Sequence, residues 1–167
     1  MPTSVSALPA TPPDGRSDFD FLMGAWTVRH HRLRTRLAGD TAWDDFDGTC
    51  TAFHVLGGAG NVDDNVLELP GGTYRAATVR AFDAEAGRWS IWWLDARRSE
   101  LDAPVHGRFD NGVGTFFGDA LFEGRPIRVR FIWSKITPRS AQWEQAFSAD
   151  GGAHWETNWV MAFTRTG

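Results

Sequence analysis

Clusters of glycine, proline, asparagine and aspartate recur along this chain too closely to leave room for crossover helices, and that spacing limits the fold more than any other feature. Ala38-Gly39-Asp40, Gly57-Gly58, Pro70-Gly71-Gly72, Ala86-Gly87, Arg97-Arg98-Ser99, Asp110-Asn111-Gly112, Glu123-Gly124, Thr137-Pro138 and Asp150-Gly151-Gly152 are turn signals. They lie mostly about 12 to 14 residues apart, which suits strands of roughly 8 to 12 residues joined by tight turns. The prediction is an antiparallel meander with strands over 24–36, 42–56, 60–69, 73–82, 88–95, 101–109, 113–121, 126–135, 140–148 and 154–165. About ten sequential strands are best accommodated as an all-β, single up-and-down barrel, because closure removes edges that would pair with other molecules. An open sandwich is the runner-up. A barrel of this strand number is wider than side chains alone readily fill, so an interior cavity is expected.

The turn from tail to fold is read at Phe19-Asp20-Phe21-Leu22-Met23-Gly24-Ala25-Trp26. Ser17 followed three residues later by Asp20 is a capping-box pattern, so Asp18 to Met23 is expected to form one short helical turn that Gly24 ends. Residues 1–16, with Pro2, Pro9, Pro12 and Pro13 among small polar residues, read as a mobile leader, and 17–167 as one barrel domain. The single cysteine, Cys50, excludes an intrachain disulfide and suits a reducing compartment. Neither a signal segment nor a membrane-spanning run is legible, so the expected location is the cytoplasm, as a monomer or a homodimer.

A formal net charge of −4 argues against nucleic acid or an anionic membrane as a partner. The local exception is Arg29 to Arg36, which alternation splits into a solvated edge and one or two inward arginines. Nine tryptophans and twelve phenylalanines instead supply either core filling or a cavity wall.

Alternation sorts the strands by face once Trp26 is taken as inward. Val28, His30 and Arg32 then point into the lumen, and Arg29, His31 and Leu33 point out. Val129, Phe131 and Trp133 share the inner face, as do Trp143, Gln145 and Phe147, and Trp155, Trp159, Met161, Phe163 and Arg165. Trp89, Ile91, Trp93 and Asp95 are assigned inward in the fifth strand. In the third, either Asn61, Asp63 and Asn65 or Val62, Asp64 and Val66 could face in. Asn158 comes out facing solvent unless a bulge intervenes.

Gly24-Ala25-Trp26 on the first strand, with Arg165 near the end of the last, resembles the calycin superfamily of lipocalin-like barrels. There the tryptophan of a G-x-W motif packs at the closed end against an arginine of the last strand. More narrowly, the F-D-F-x-x-G-x-W stretch from Phe19, together with Trp89-Ser90-Ile91-Trp92-Trp93-Leu94-Asp95 and Trp155-Glu156-Thr157-Asn158-Trp159, resembles a bacterial family of single-domain calycin-like proteins. The resemblance implies a barrel with a pocket and supplies no reaction.

The inward residues nominate a site. His30 and Arg32 would set an imidazole and a fixed cation in an aromatic lumen, suited to gripping a carboxylate, enolate or phenolate; equally, each is satisfied by an interior carboxylate such as Asp63 or Asp95. Arg165 is assigned to stacking on Trp26. The candidate ligand-binding set is His30, Arg32, Asn61, Asp63, Asn65, Arg80, Trp93, Asp95, Trp133, Trp143, Gln145 and Trp159. The leading expectation is a binding protein for a small hydrophobic or aromatic, possibly anionic, ligand. The alternative is an isomerase, cyclase or hydrolase of a hydrophobic metabolite, with His30 as general acid or base and Arg32 or Arg80 stabilising negative charge. A third reading, borrowed from haem-binding calycins, has a histidine ligating iron. The five histidines are scattered, so no metal site is expected, and no cofactor is assigned.

Overall fold

The strands close on one another through backbone hydrogen bonds, as seen in a computed structural model whose described residues are 14–166. They are β1 (Gly24–Leu33), β2 (Trp43–Val55), β3 (Gly60–Leu69), β4 (Gly72–Asp83), β5 (Arg88–Asp95), β6 (Glu100–Leu101), β7 (Val105–Asp110), β8 (Val113–Phe122), β9 (Arg125–Ser134), β10 (Ser140–Ser148) and β11 (Glu156–Arg165). The sheet order is β4-β3-β2-β1-β11-β10-β9-β8-β7-β5-β6, and β4 also pairs with β5. All pairings are antiparallel. The wall is therefore a closed up-and-down barrel of ten strands, with two-residue β6 as a flap on β5. No helix among the described residues is long and apolar enough to cross a membrane.

Several boundaries differ from the sequence reading. β1 stops at Leu33 instead of continuing to 36, because the Asp40 carboxylate accepts the backbone N–H groups of Thr35 and Ala42 and folds 34–42 into a loop. The strand expected over 101–109 is broken, since Asp102-Ala103-Pro104 separates β6 from β7 and Pro104 has no N–H to offer the ladder. The helical turn expected over Asp18 to Met23 is two 3-10 turns, Gly15–Ser17 and Asp20–Leu22. Asp14 caps the first by accepting from Arg16 N–H, and no side chain caps the second. The leader expectation for residues 1–13 lies outside the described residues. Asp14 to Arg16, also read as leader, join the barrel, and the Gly15 carbonyl accepts the Trp89 indole N–H at 3.0 Å.

Turn chemistry sets the tight hairpins. Asn111-Gly112 and Glu123-Gly124 lie in the left-handed region (φ 48° and 76°, 50° and 76°), as the two-residue turns favoured by strand twist require.

The phase set by Trp26 holds. Val28, His30, Asn61, Asp63, Asn65, Trp89, Ile91, Asp95, Val129, Trp133, Trp143, Met161 and Phe163 are all buried, which decides the open choice in β3 for its polar set. Leu33, expected outside, is also buried, yet it stands apart from the core cluster. The larger departure is in β11. Gln145 pairs with Trp159 but Ala146 pairs with Thr157, so Asn158 is an extra residue and every side chain before it changes face. Asn158 is thereby turned inward and fully buried. Trp155, assigned to the inner face, instead lies on the outer wall, 5.9 Å from Phe117 and beneath Arg130.

The barrel is filled at one end. Phe19 and Leu22 of the N-terminal turns insert among Trp26, Trp89, Phe116 and Trp133, with Phe19 edge-on to Trp89 at 4.9 Å and to Phe109 at 5.0 Å. Trp26 donates its indole N–H to the Leu22 carbonyl at 2.7 Å. Arg165 stacks over Trp26 at 4.1 Å and donates to the carbonyls of Met23, Phe21 and Pro138. Replacing Trp26 with alanine is expected to lower unfolding stability by about 3–5 kcal/mol, read from urea midpoints, because it empties a well-packed site and strands the Leu22 carbonyl.

Candidate functional site

The end opposite that plug is hollow. A cavity of about 830 Å³ opens where β1 leaves the barrel, walled by the upper halves of β4, β5, β8, β9, β10 and β11. Trp93, Trp143, Trp159 and Phe131 form its aromatic wall, with Trp143 edge-on to Trp159 at 5.6 Å and Phe131 at 4.9 Å from Trp143. Alternation puts these rings on one face, and the strand tilt of a closed barrel brings them to one height. Ile127, Val129 and Val105 complete the apolar surface.

The polar part of the wall is a group of arginines around one carboxylate and one phenol. Arg97 closes on Asp95 through two parallel N–H···O bonds of 2.7 and 3.0 Å and stacks 3.6 Å over the Tyr74 ring. Those hydrogen bonds hold the Asp95 carboxyl below the usual carboxylate range despite its burial. Arg32 stacks over Trp159 at 4.5 Å. Neither Arg32 nor Arg36 forms an ion pair with any described residue, and the Nε of each is buried without a hydrogen-bond partner. Burial lowers the pKa of both, and Arg36, also repelled by Arg32, falls to about 10. Burial pushes the Tyr74 hydroxyl up, an effect that Arg32 and Arg97 partly offset. Gln145 lines the cavity with its amide tied back to Asn158 at 2.9 Å.

Of the residues nominated from sequence, Arg32, Trp93, Asp95, Trp143, Gln145 and Trp159 stand together on the cavity wall. Asn61, Asp63, Asn65, Arg80 and Trp133 belong to the lower, filled part. There Arg80 donates to Asp63 at 2.7 Å and to Asn61 at 2.9 Å, and its guanidinium lies 5.0 Å from the Phe19 ring. Asn65 bonds Asp63 in turn, so the Arg80 charge is ion-paired within a polar network, with the Arg80 Nε left without a partner. His30 stands behind the wall. Its Nδ1 accepts the Trp159 indole N–H at 3.1 Å, its ring stacks on Phe46 at 4.5 Å, and Gly48 leaves room for it, since a Cβ there would come within 2.9 Å of Nε2. Burial, with repulsion from Arg32, lowers its pKa from 6.5 to about 4, so the imidazole is neutral at physiological pH.

Arg36, Tyr74, Arg97 and Arg98 were not singled out from sequence, although all line the cavity. Tyr74, the one tyrosine, shares parity with Arg80 on β4 and was legible by alternation. Arg36, Arg97 and Arg98 lie in loops, where no periodicity reports direction. No histidine lines this cavity, and no group of three or more metal-ligating side chains occurs among the described residues.

No family model matches the chain, and no curated protein matches it in sequence. Among solved structures it is similar to the S-type phycobiliprotein lyase CPES from Guillardia theta, with a TM-score of 0.58 and 12% identity over 89% of this chain and 90% of that one. It is also similar to Rv2717c from M. tuberculosis, with a TM-score of 0.63 and 9% identity over 95% of this chain and 100% of that one. At such identities the likeness is one of fold, and it agrees with a calycin-like barrel.

The buried imidazole gives a pH test. The unfolded chain takes up the His30 proton near pH 6.5 and the folded chain only near pH 4, so stability falls as pH drops through that window, by up to about 3 kcal/mol in all. His30→Phe, which retains the stack on Phe46, should make the decline shallower between pH 6.5 and 4 when urea midpoints of the two proteins are compared; equal slopes would contradict it.

Proposed function

We propose that the protein binds a small, largely apolar molecule bearing an anionic group, held in the upper half of the barrel. The observation that carries this reading is the pairing of an 830 Å³ aromatic-walled cavity with two arginines, Arg32 and Arg36, that form no ion pair with any described carboxylate. A cavity of that volume falls in the range of small-molecule sites, which are mostly apolar with a few placed polar groups. The indoles of Trp93, Trp143 and Trp159 offer rigid apolar area, and desolvated guanidinium groups gain most from an incoming anion.

The enzyme reading, an isomerase, cyclase or hydrolase with His30 as general acid or base, gains from the comparisons only the name of one fold neighbour, a lyase. For proton transfer by His30 the geometry is unfavourable: Nδ1 is engaged by Trp159, and that indole stands between the imidazole and the cavity. Ligation of haem by a histidine lacks a donor on the cavity wall. These placements favour binding over both alternatives.

Native mass spectrometry of freshly purified protein, followed by tryptophan-quenching titrations with fatty acids, flavonoids and aromatic acids, tests the reading. Saturable one-to-one quenching is expected for anionic apolar compounds. Ala120→Trp, which fills the cavity from β8, should weaken it by about tenfold or more while circular dichroism reports an intact barrel. Quenching that is unchanged in this variant would place the ligand on the outer surface and overturn the proposal.

A further inference from the structure

We infer that the ligand's polar head carries two negative charges and is held by Arg32 and Arg36 together; this rests on the cavity being the ligand site. Charges around the wall match in pairs, with two left over. Four arginines line the cavity, Arg32, Arg36, Arg97 and Arg98. Arg97 is closed by Asp95 at 2.7 Å and Arg98 by Asp102 at 2.9 Å. The remaining wall carboxylate, Asp119, pairs at 3.4 Å with Arg128 on the outer face. Glu156, the other acid near Arg36, spends an oxygen on the Leu37 backbone N–H at 2.7 Å and makes no ion pair with either free arginine.

Two cations are thus left over on one wall, and Arg32 repels the charge on Arg36. A monoanion satisfies one and leaves the second desolvated. A dianion neutralises both, and its several acceptor oxygens can take the N–H groups that two guanidinium forks present, including the unpartnered Nε of each. The completed pairs at Asp95 and Asp102 confine such a head to the Arg32 and Arg36 side, since elsewhere the wall offers carboxylates already satisfied. The apolar body then lies against Trp143, Trp159 and Phe131. A phosphate monoester of an aromatic alcohol is the simplest molecule of this description. An aromatic dicarboxylate supplies the same charge.

Calorimetric titration with four ligands on one ring system separates these cases: 1-naphthol, 1-naphthoate, 1-naphthyl phosphate and naphthalene-2,3-dicarboxylate at pH 7.5. At least one dianion is expected to bind about tenfold or more tighter than naphthoate, and Arg36→Gln to erase most of that advantage. Arg36→Lys, which keeps the charge without the fork, should retain part of it. Because Arg36 lies in a loop, these variants are the primary test; Arg32→Gln also removes the stack on Trp159 and is interpreted only with an unchanged urea midpoint.

The two dianions are told apart by pH. The phosphate's second proton goes on near pH 6, so its advantage fades below that pH, while the dicarboxylate keeps its own to lower values. Among the groups facing the head, Arg32, Arg36 and Arg97 stay cationic there, Asp95 is held ionised and Tyr74 neutral. Asp102, whose pKa burial raises, is controlled with Asp102→Asn. Equal binding of naphthoate and both dianions would overturn this inference and leave the pocket reading standing. Binding by none of the four, naphthol included, would count against the pocket reading itself and this inference with it.

Discussion

One guanidinium holds the closed end together. Arg165 reaches across from the last strand to take up the carbonyls of Phe21, Met23 and Pro138, and lays its plane on Trp26. Those carbonyls end short turns that have no ladder to join, and a buried carbonyl without a donor would cost on the order of 1–3 kcal/mol. By meeting them, Arg165 fastens the N-terminal turns to β1 and to the β9–β10 connection. Phe19 and Leu22 are thereby held inside the lower lumen, and the bulk of the interior aromatic volume gathers there. The upper lumen has no such plug. Smaller inward residues such as Val105 and Ala120 line it, and the space remains open.

The two halves also differ in how they treat charge. In the lower half Arg80 is ion-paired to Asp63 and bonded to Asn61, with only its Nε unpartnered, and both members of the ion pair are nearly inaccessible. Taking charges out of water is costly, so a buried charge paired in this way reads as structural. In the upper half Asp95 and Arg97 complete each other, but Arg32 and Arg36 have cations to spare in partly desolvated positions. The paired guanidinium braces the filled end, and the two without an ion pair line the open one.

His30 shows the converse. Its titration is strongly perturbed, a property that often marks reactive groups, yet the cause is burial behind Trp159 with an indole N–H for company. The imidazole acts as a neutral acceptor that fixes the indole on which Arg32 rests, so its contribution to the cavity is positional.

Alternation and turn spacing were sufficient for the closed meander, for Trp26 as an inward residue and Arg165 as its partner, and for six members of the cavity wall, because side-chain direction in a strand is a local property. Alternation put Arg32 inward, and Arg80 was nominated beside it, but nothing in the sequence could say which would find a carboxylate. That depended on register and tilt, which place Asp63 beside Arg80 from a neighbouring strand and leave Arg32 against an indole from the far end of the chain. The bulge at Asn158 was likewise invisible, since one extra residue in β11 is defined only relative to β10, and it carried Trp155 from the expected inner face to the outer one. Arg36 and Arg97 lie in loops held by Asp40 and Asp95, where direction follows from side-chain bonds to the backbone and not from any period in the sequence. What the chain alone determined was which way each strand residue points; what the tertiary structure decided was which charges meet and which are left without a partner, because that depends on neighbours far apart in sequence.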